Sequence, residues 1–183
     1  DLRMSRGLGD VYKRQVLCKF NTNKFMETKS ITINYTSFQL SELVEDDLAL
    51  VEAAKKATYT SYVPYSNFSV GAAVRLTNGV IVSGSNQENA AFSAGTCAER
   101  CTMFYANAQY PDAPITTIAV AARGTNGEFT NSPISPCGVC RQALVEAQVR
   151  AKQPLRVLLF GQREVLVFDS ITDLLPYQFD EIV

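Results

Sequence analysis

Two cysteine-containing segments, about forty residues apart, constrain this chain more than any other feature. The first is Cys97-Ala98-Glu99-Arg100 and the second is Pro136-Cys137-Gly138-Val139-Cys140. A structural zinc site takes all four ligands from the protein, whereas a catalytic site takes three and leaves one position for water. The segments offer a carboxyl group, that of Glu99, and three thiolates, those of Cys97, Cys137 and Cys140. The sequence therefore predicts a zinc site with one open position and a proton-transferring group beside it.

Each segment is predicted to lie at the start of a helix. If Cys97 opens a helix, Glu99 falls in the same first turn and both side chains can face one cavity. The positive end of the helix would also favour the thiolate. Pro136 precedes the second cysteine pair, and a helical stretch, Arg141 to Arg150, follows it. Two helix N-termini would then share one metal ion.

A closed site with four cysteines is the alternative. Cys101 stands one helical turn beyond Cys97, so it could complete a structural site and make the protein a zinc-stabilised binding module. That arrangement leaves Glu99 without a role, together with the polar segment Asn86-Gln87-Glu88-Asn89. We therefore favour three ligands and interpret Cys101 as a small packed thiol.

Composition narrows the chemistry further. The chain has 183 residues, 46% hydrophobic and 19% charged, which predicts one domain with a sizeable core. It contains no histidine, which excludes Ser-His and Cys-His mechanisms and histidine-ligated metal sites. Four of the five cysteines lie in two pairs, a pattern typical of metal binding in a reducing compartment. We expect a cytoplasmic protein, and no apolar run is long enough for a membrane span.

Residues 1–25 differ in character from the rest. They carry six basic and two acidic residues without a helical or strand period, and they lack the apolar core of a secretory signal. We interpret them as a non-native or disordered leader and residues 26–183 as a single domain. Removing the leader from the totals of 17 basic and 18 acidic residues leaves 11 and 16, a net charge of −5. A surface of that sign disfavours nucleic acid as a partner.

The apolar pattern predicts alternating strands and helices. Ser41 resembles a helix cap, and an apolar stripe then continues to a helix end near Tyr62. The helices of the two cysteine segments and a short closing helix at Asp169 to Leu175 follow. Strands are expected at these places: Ile31 to Thr36, by alternation; a hairpin of Val70 to Leu76 and Val80 to Ser83; Ile115 to Ala122; Leu155 to Phe160; and Glu164 to Phe168. Together they indicate an α/β fold, a three-layer α/β/α sandwich with a mixed sheet of about five strands.

The polar segment Asn86 to Asn89 directly follows a strand of the hairpin. Such residues are common turn formers and caps, and composition alone favours that interpretation. At a strand end near a metal site, however, amides and carboxylates also suit a polyhydroxylated ligand such as a ribose. Their proximity to Cys97 favours the second interpretation.

Several motifs, in order along residues 41–179, resemble the small homotetrameric zinc-dependent cytidine deaminases. The motifs are Tyr65-Ser66-Asn67-Phe68, Val70-Gly71-Ala72-Ala73, Asn86-Gln87-Glu88-Asn89-Ala90-Ala91, Cys97-Ala98-Glu99-Arg100, Ser135-Pro136-Cys137-Gly138-Val139-Cys140-Arg141-Gln142, and Leu174-Leu175-Pro176 with Phe179. The resemblance implies a cytidine deaminase-like fold and the hydrolysis of cytidine and deoxycytidine to uridine and deoxyuridine, with release of ammonia, in pyrimidine salvage. Two positions depart from the family: Cys101 replaces a common threonine, and Phe92 replaces a usual tyrosine.

The resemblance also implies roles for individual residues. Cys97, Cys137 and Cys140 would bind one Zn²⁺ per subunit, whose hydroxide would attack C4 of the pyrimidine while Glu99 shuttles protons. Asn86 and Glu88 would hold the ribose, with Asn89 beside them. The backbone at Ala98 would meet the pyrimidine O2, and Phe68 would pack along the nucleoside. Phe179 would stack on the base from a neighbouring subunit, so a homotetramer with shared active sites is expected.

Two arginines flank the thiols. Three thiolates with Zn²⁺ carry a net charge of −1, and a guanidinium that donates to a ligand sulfur drains that charge. The family resemblance gives Arg100 this role, outside the ligand set itself. For either Arg100 or Arg141, a surface salt bridge is the simpler interpretation.

Other deaminase substrates compete with cytidine. Deoxycytidylate and nucleic-acid deaminases usually have a histidine ligand, which this chain cannot supply, and a polynucleotide would need a basic groove. Deaminases of aminoacyl nucleoside antibiotics share the three-cysteine pattern, so the ligands alone leave them open. No membrane partner is expected.

Overall fold

Helices cover both faces of a mixed six-stranded sheet in the computed structural model of the chain, which describes residues 27–180. Residues 1–26 and 181–183 lie outside the described residues, and the leader expected at 1–25 lies among them. Residues 27–31 belong to a different unit from the one that begins at Thr32, and they contain no helix or strand.

Nine regular elements follow one another along the second unit. The strands are β1 Thr36–Phe38, β2 Ser69–Leu76, β3 Ile81–Ser85, β4 Ile115–Arg123, β5 Arg156–Phe160 and β6 Val165–Phe168. The helices are α1 Glu45–Ala57, α2 Ala98–Gln109 and α3 Gly138–Ala151, joined by short 3-10 turns that include Ile171–Leu174 near the C-terminus. No helix within residues 27–180 combines the length and apolar character needed to cross a bilayer.

The sheet has the order β1-β6-β5-β4-β2-β3. β4 and β5 are parallel, and every other neighbouring pair is antiparallel. Because β2 is antiparallel to both β3 and β4, the strands β3, β4 and β5 run in the same direction. The chain from β3 through α2 to β4, and then through α3 to β5, therefore forms two consecutive β-α-β units, and both helices begin at the same edge of the sheet.

Residues of the central strand alternate between two cores. Ile118 and Val120 of β4 pack on the side of α2 and α3, whereas Ala119 and Ala121 pack on the side of α1. Leu144 and Val145 of α3 belong to the first core, and Leu50, Val51 and Ala54 of α1 belong to the second. The predicted three-layer α/β/α architecture is confirmed, and the six-stranded sheet is compatible with the expected count of about five.

The first strand lies later than its sequence pattern predicts. Ile31, Ile33 and Tyr35 alternate with polar residues, yet all three are exposed and the strand is Thr36–Phe38. Its residues pair with Val165 to Val167 of β6, and Phe38 packs against the α1-side core. Alternation shows which residues could share a face, but the position of the partner strand decides which ones pair.

The predicted start of α1 is also wrong. Ser41 lies in a separate 3-10 turn, Leu40–Glu42, in which the Glu42 carboxylate accepts from the backbone N–H of Gln39 at 2.7 Å. α1 begins at Glu45 with three acidic residues in its first turn, whose charge complements the helix dipole. The helix also ends earlier than expected, at Ala57, where a 3-10 turn takes over.

A buried carboxylate ties α1 to the sheet. The side chain of Asp47 is 5% exposed, and it contacts Arg75 of β2 at 2.9 Å and Arg156 of β5 at 3.1 Å. The contacts join three elements that are distant in sequence. A buried carboxylate of this kind is tolerable only because both guanidinium groups compensate its charge.

We predict that Asp47→Asn lowers the free energy of unfolding by about 3 kcal/mol, because it leaves two arginines without their shared counter-charge. Urea denaturation measures the change. The neighbouring Asp46 provides a matched control, since its side chain is 84% exposed and lies 3.8 Å from Arg75. Asp46→Asn should cost less than about 1 kcal/mol. Equal losses in the two variants would contradict a structural role for Asp47.

Candidate active site

The N-termini of α2 and α3 meet at the edge of the sheet where both helices begin. Cys97 is the residue immediately before α2, and Cys137 is the residue immediately before α3, each with extended backbone. Cys140 lies in the first turn of α3 and is buried. The structure thus brings Cys97 together with a cysteine pair that lies about forty residues later in the sequence.

The three sulfur atoms are spaced as metal ligands. All three lie within 4.8 Å of one another, and Cys97 Sγ is 3.9 Å from Cys137 Sγ. Zn–S bonds of about 2.3 Å in tetrahedral geometry place neighbouring sulfurs about 3.8 Å apart, so the donor set fits zinc. Cys101 stands outside this cluster, which within residues 27–180 consists of Cys97, Cys137 and Cys140. The geometry favours three sulfur ligands over the closed four-cysteine alternative.

Glu99 lies beside the cluster in the first turn of α2, with 4% of the residue exposed. Burial raises the pKa of its carboxyl group, and the negative charge on Cys97 adds to the rise, while a hydrogen bond with Cys140 opposes it. A carboxyl group whose pKa is raised in this way is suited to accept a proton as well as to release one.

Neighbouring groups stabilise the thiolate form of Cys97. A hydrogen bond from Cys140 and the nearby guanidinium of Arg100 lower the pKa of Cys97 to about 5. The pKa of Cys140 is raised for the complementary reason, since it donates to the Cys97 thiolate. Arg100 Nη2 lies 3.9 Å from Cys97 Sγ, and Arg100 forms no ion pair within the described part of the chain. Its partner is therefore the sulfur and not a surface carboxylate.

Arg141 has a different role from the surface salt bridge that the sequence suggested. Its guanidinium donates to the carbonyl oxygen of Pro136 at 2.8 Å, to that of Leu174 at 2.7 Å and to Ser135 Oγ at 2.9 Å. The residue fixes the loop that leads into Cys137. An arginine immediately after a predicted metal-binding cysteine was the available signal, because a guanidinium carries enough donors to hold several carbonyl groups.

Gly161 supports the same loop, and sequence reasoning did not identify it. It lies in the turn between β5 and β6, where a Cβ atom would be 2.6 Å from Pro133 N and 2.7 Å from the carbonyl carbon of Ser132. The loop can approach the turn this closely only because glycine has no side chain. A glycine between two predicted strands looks like an ordinary turn former, so the pattern gave no sign of this contact.

The polar segment after β3 holds a neighbouring loop. Asn86 Oδ1 accepts from the backbone N–H of Val70 at 2.8 Å, and Asn86 Nδ2 donates to the carbonyl oxygen of Phe68 at 3.0 Å. Glu88 Oε2 accepts from the N–H groups of Tyr65 and Ser66 at 2.9 and 3.2 Å. Hydrogen bonds from Ser66 and Tyr65 lower the pKa of Glu88. The residues thus organise the loop of Tyr65 to Phe68, as in the turn-and-cap interpretation, and they also face a cavity.

That cavity has a volume of about 290 Å³ and adjoins the cysteine cluster. Its size is near the lower end of the range typical of small-molecule sites. Five of the residues proposed from the sequence line it, namely Asn86, Glu88, Asn89, Cys97 and Arg100. The exposed ring of Phe92 forms part of its wall.

The other six proposed residues do not line this cavity. Cys137, Cys140 and Glu99 belong to the cluster that adjoins it through Cys97, and the remaining three lie elsewhere. Ala98 is fully buried at the start of α2, and Phe68 is half-buried in the loop held by Asn86. Phe179 is 66% exposed, and its carbonyl oxygen accepts from Gln142 Nε2 at 2.5 Å. The ring of Phe179 is thus available to another surface.

Comparison with known proteins identifies the family. The family model for the cytidine and deoxycytidylate deaminase zinc-binding region matches residues 44–153. A cytidine deaminase from Halalkalibacterium halodurans is 38% identical over 101 residues, which is 55% of this chain and 71% of that protein. One from Sporosarcina psychrophila is 42% identical over 97 residues, 53% of this chain and 66% of that protein.

A solved structure agrees with these relatives. The cytidine deaminase from Burkholderia pseudomallei is 42% identical, with a TM-score of 0.62 over 72% of this chain and 97% of that one. The family match extends from the start of α1 to the end of α3, and both cysteine segments lie within it. The chain therefore belongs to the cytidine and deoxycytidylate deaminase family.

Proposed function

We propose that this protein is a zinc-dependent cytidine deaminase that converts cytidine and deoxycytidine to uridine and deoxyuridine with release of ammonia. The observation that carries the proposal is the convergence of three sulfur atoms, a buried carboxyl group and a cavity at two helix N-termini. The names of the relatives support the same substrate class.

Cys97, Cys137 and Cys140 would hold one zinc ion per subunit. Zinc bound there supplies a Lewis acid that makes water reactive at neutral pH. The two helix N-termini favour the thiolate forms of these ligands. Arg100 would offset part of the cluster's negative charge through its contact with Cys97 Sγ.

Glu99 would carry the protons of the reaction. Its carboxylate takes a proton from the attacking water, transfers it to N3 of the pyrimidine ring, and then assists departure of the amino group as ammonia. The raised pKa of Glu99 suits a group that alternates between accepting and donating. Burial also keeps bulk water from competing for the proton.

The cavity wall would bind the sugar. Both backbone N–H groups that contact Glu88 bind Oε2, which leaves Oε1 to accept from a ribose hydroxyl. Asn86 keeps one N–H and one lone pair beyond its two contacts with β2 and its preceding loop. Asn89 is exposed at the same cavity. Nothing in this arrangement requires a 2′-hydroxyl, so both sugars are accepted.

A nucleoside suits the cavity better than its phosphate. The lowered pKa of Glu88 keeps that carboxylate ionised at neutral pH, and it would repel a phosphate group nearby. Arg100 also lines the cavity, but its guanidinium is directed to Cys97 Sγ.

The nucleoside would be contacted by residues of the same chain and by one residue of a neighbouring subunit. The N–H of Ala98, at the first position of α2, would meet the pyrimidine O2, and Phe68 would pack along the nucleoside. Phe179 does not line the cavity of its own chain, and its ring is exposed. It would stack on the base bound by another subunit of a homotetramer.

We predict that Glu99→Gln reduces turnover of cytidine by about 10²-fold or more, because the group that moves protons is lost. The fall in cytidine absorbance measures turnover, and metal analysis should show zinc retained, since Glu99 is not a ligand. If the zinc-loaded unmodified protein released no ammonia from cytidine or deoxycytidine, the proposed function would be wrong.

Two cysteine variants distinguish the open site from the closed one. We predict that Cys137→Ser loses zinc, whereas Cys101→Ser keeps its zinc content and its fold, because Cys101 stands outside the sulfur cluster. Metal analysis and circular dichroism provide the measurements. Loss of zinc together with unfolding in Cys101→Ser would contradict the three-ligand site and the enzyme function built on it.

Arg100→Gln tests the electronic role of the guanidinium. We predict a fall in turnover of about 10-fold or more with a smaller change in zinc content. The variant removes the positive charge beside Cys97 Sγ, whereas all three sulfur ligands remain. Arg163→Gln is the matched control, since Arg163 is exposed in the turn between β5 and β6. Equal loss of zinc and turnover in Arg100→Gln would argue against this explanation.

A further inference from the structure

The first turn of α3 contacts the C-terminal segment through two consecutive side chains. Arg141 Nη1 donates to the carbonyl oxygen of Leu174 at 2.7 Å, and Gln142 Nε2 donates to the carbonyl oxygen of Phe179 at 2.5 Å. Both residues directly follow Cys140, the buried thiol of the cluster. The turn that places a cysteine at the candidate metal centre therefore also binds the end of the described chain.

Residues 175–180 have few other attachments within the described part of the protein. Leu175 is half-buried against the core, whereas Pro176, Tyr177, Phe179 and Asp180 are exposed. The hydrogen bonds of Leu175 N–H to Thr172 and of Gln178 Nε2 to Asp180 remain within the C-terminal stretch itself. Gln142 thus provides the one hydrogen bond in the described structure that joins residues 175–180 to a helix of the domain.

The backbone of this segment needs such an attachment. Tyr177 has a φ of 54°, in the left-handed region that costs a residue other than glycine about 1 kcal/mol or more. Its side chain is 89% exposed, so packing of the ring does not compensate for the strain. The conformation persists because contacts on either side hold the chain: Arg141 at Leu174, and Gln142 at Phe179.

We infer that Arg141 and Gln142 are positioning residues that hold residues 174–179 on the first turn of α3 and so fix the direction in which the Phe179 ring projects. The contact from Gln142 is to the carbonyl oxygen of Phe179, so the backbone is held while the ring stays 66% exposed. A side chain whose backbone is already held loses less conformational freedom when it covers a ligand. The consequence for nucleoside binding rests on the proposed function.

Gln142 is the better residue to test, because Arg141 also holds Ser135 and Pro136 beside the metal-binding cysteines. Gln142→Glu keeps the size of the side chain but removes the donor. Gln109→Glu adds the same charge at an exposed position at the end of α2 and serves as the control. Gln142→Ala removes the contact without adding charge, so it remains informative if Gln142→Glu folds poorly.

The first measurement does not depend on catalysis. Limited digestion with chymotrypsin, followed by mass spectrometry, should show cleavage after Tyr177 and Phe179 about tenfold faster in Gln142→Glu and Gln142→Ala than in Gln109→Glu or the unmodified protein, because cleavage requires the segment to leave the domain surface. Zinc content should not change. Unaltered cleavage after Tyr177 and Phe179 in both Gln142 variants would overturn the inference, whatever the protein's activity.

The second measurement addresses substrate binding. Both Gln142 variants should raise KM for cytidine up to about tenfold while kcat stays within about twofold, because the reacting groups are untouched. A matching fall in kcat, or an unchanged KM despite faster cleavage, would overturn the role in nucleoside binding. If the unmodified protein does not deaminate cytidine, the proposed function fails, while the cleavage result still decides whether Gln142 holds the segment.

Discussion

The convergence of two helix N-termini on three sulfur atoms is the constraint on which the rest of the structure depends. Cys97 and Cys137 occupy equivalent positions, one residue before α2 and α3, and Cys140 joins them from the first turn of α3. Both helix ends direct partial positive charge toward the same cluster, which offsets the cost of concentrating thiolates. Because β3, β4 and β5 run in the same direction, the two β-α-β units bring these helix ends to one edge of the sheet. The strand order thus determines where the site lies, and the three cysteines supply its sulfur atoms.

Side-chain hydrogen bonds and close backbone packing hold the loops that enter the site. Arg141 holds the approach to Cys137 from one side, and Gly161 permits the turn between β5 and β6 to support it from the other. Asn86 and Glu88 hold the loop of Tyr65 to Phe68 at the cavity. The side chains of Asn86, Glu88 and Arg141 form hydrogen bonds mainly with backbone groups. The cavity therefore has a defined shape before a ligand enters.

Sequence patterns predicted most of the fold, because the buried strand β4 and the two cysteine helices have strong local signals. The sequence patterns gave wrong element bounds where contacts with other residues determine which residues form a strand or a helix. The alternation at Ile31 to Tyr35 could not reveal that β6 pairs with Thr36–Phe38, and Ser41 could not be distinguished from a helix cap without the turn formed by Glu42. The sulfur cluster was predictable from spacing, since three thiols and a carboxylate have few other uses. The contacts of Arg141, Gln142 and Gly161 depend on loops whose paths no periodicity describes.

The short strand β1 covers the edge of the sheet that β6 would otherwise form. Its neighbour β6 has the sequence Val-Leu-Val-Phe, and without β1 this strand would be the outer edge of the sheet. An apolar edge with free backbone groups invites another chain to pair with it, which is a common route to self-association. β1 replaces that edge with a strand of only three residues, of which two, Thr36 and Ser37, are polar. Trimming the chain up to Tyr35 would leave this cover in place, whereas losing three more residues would uncover an adhesive surface.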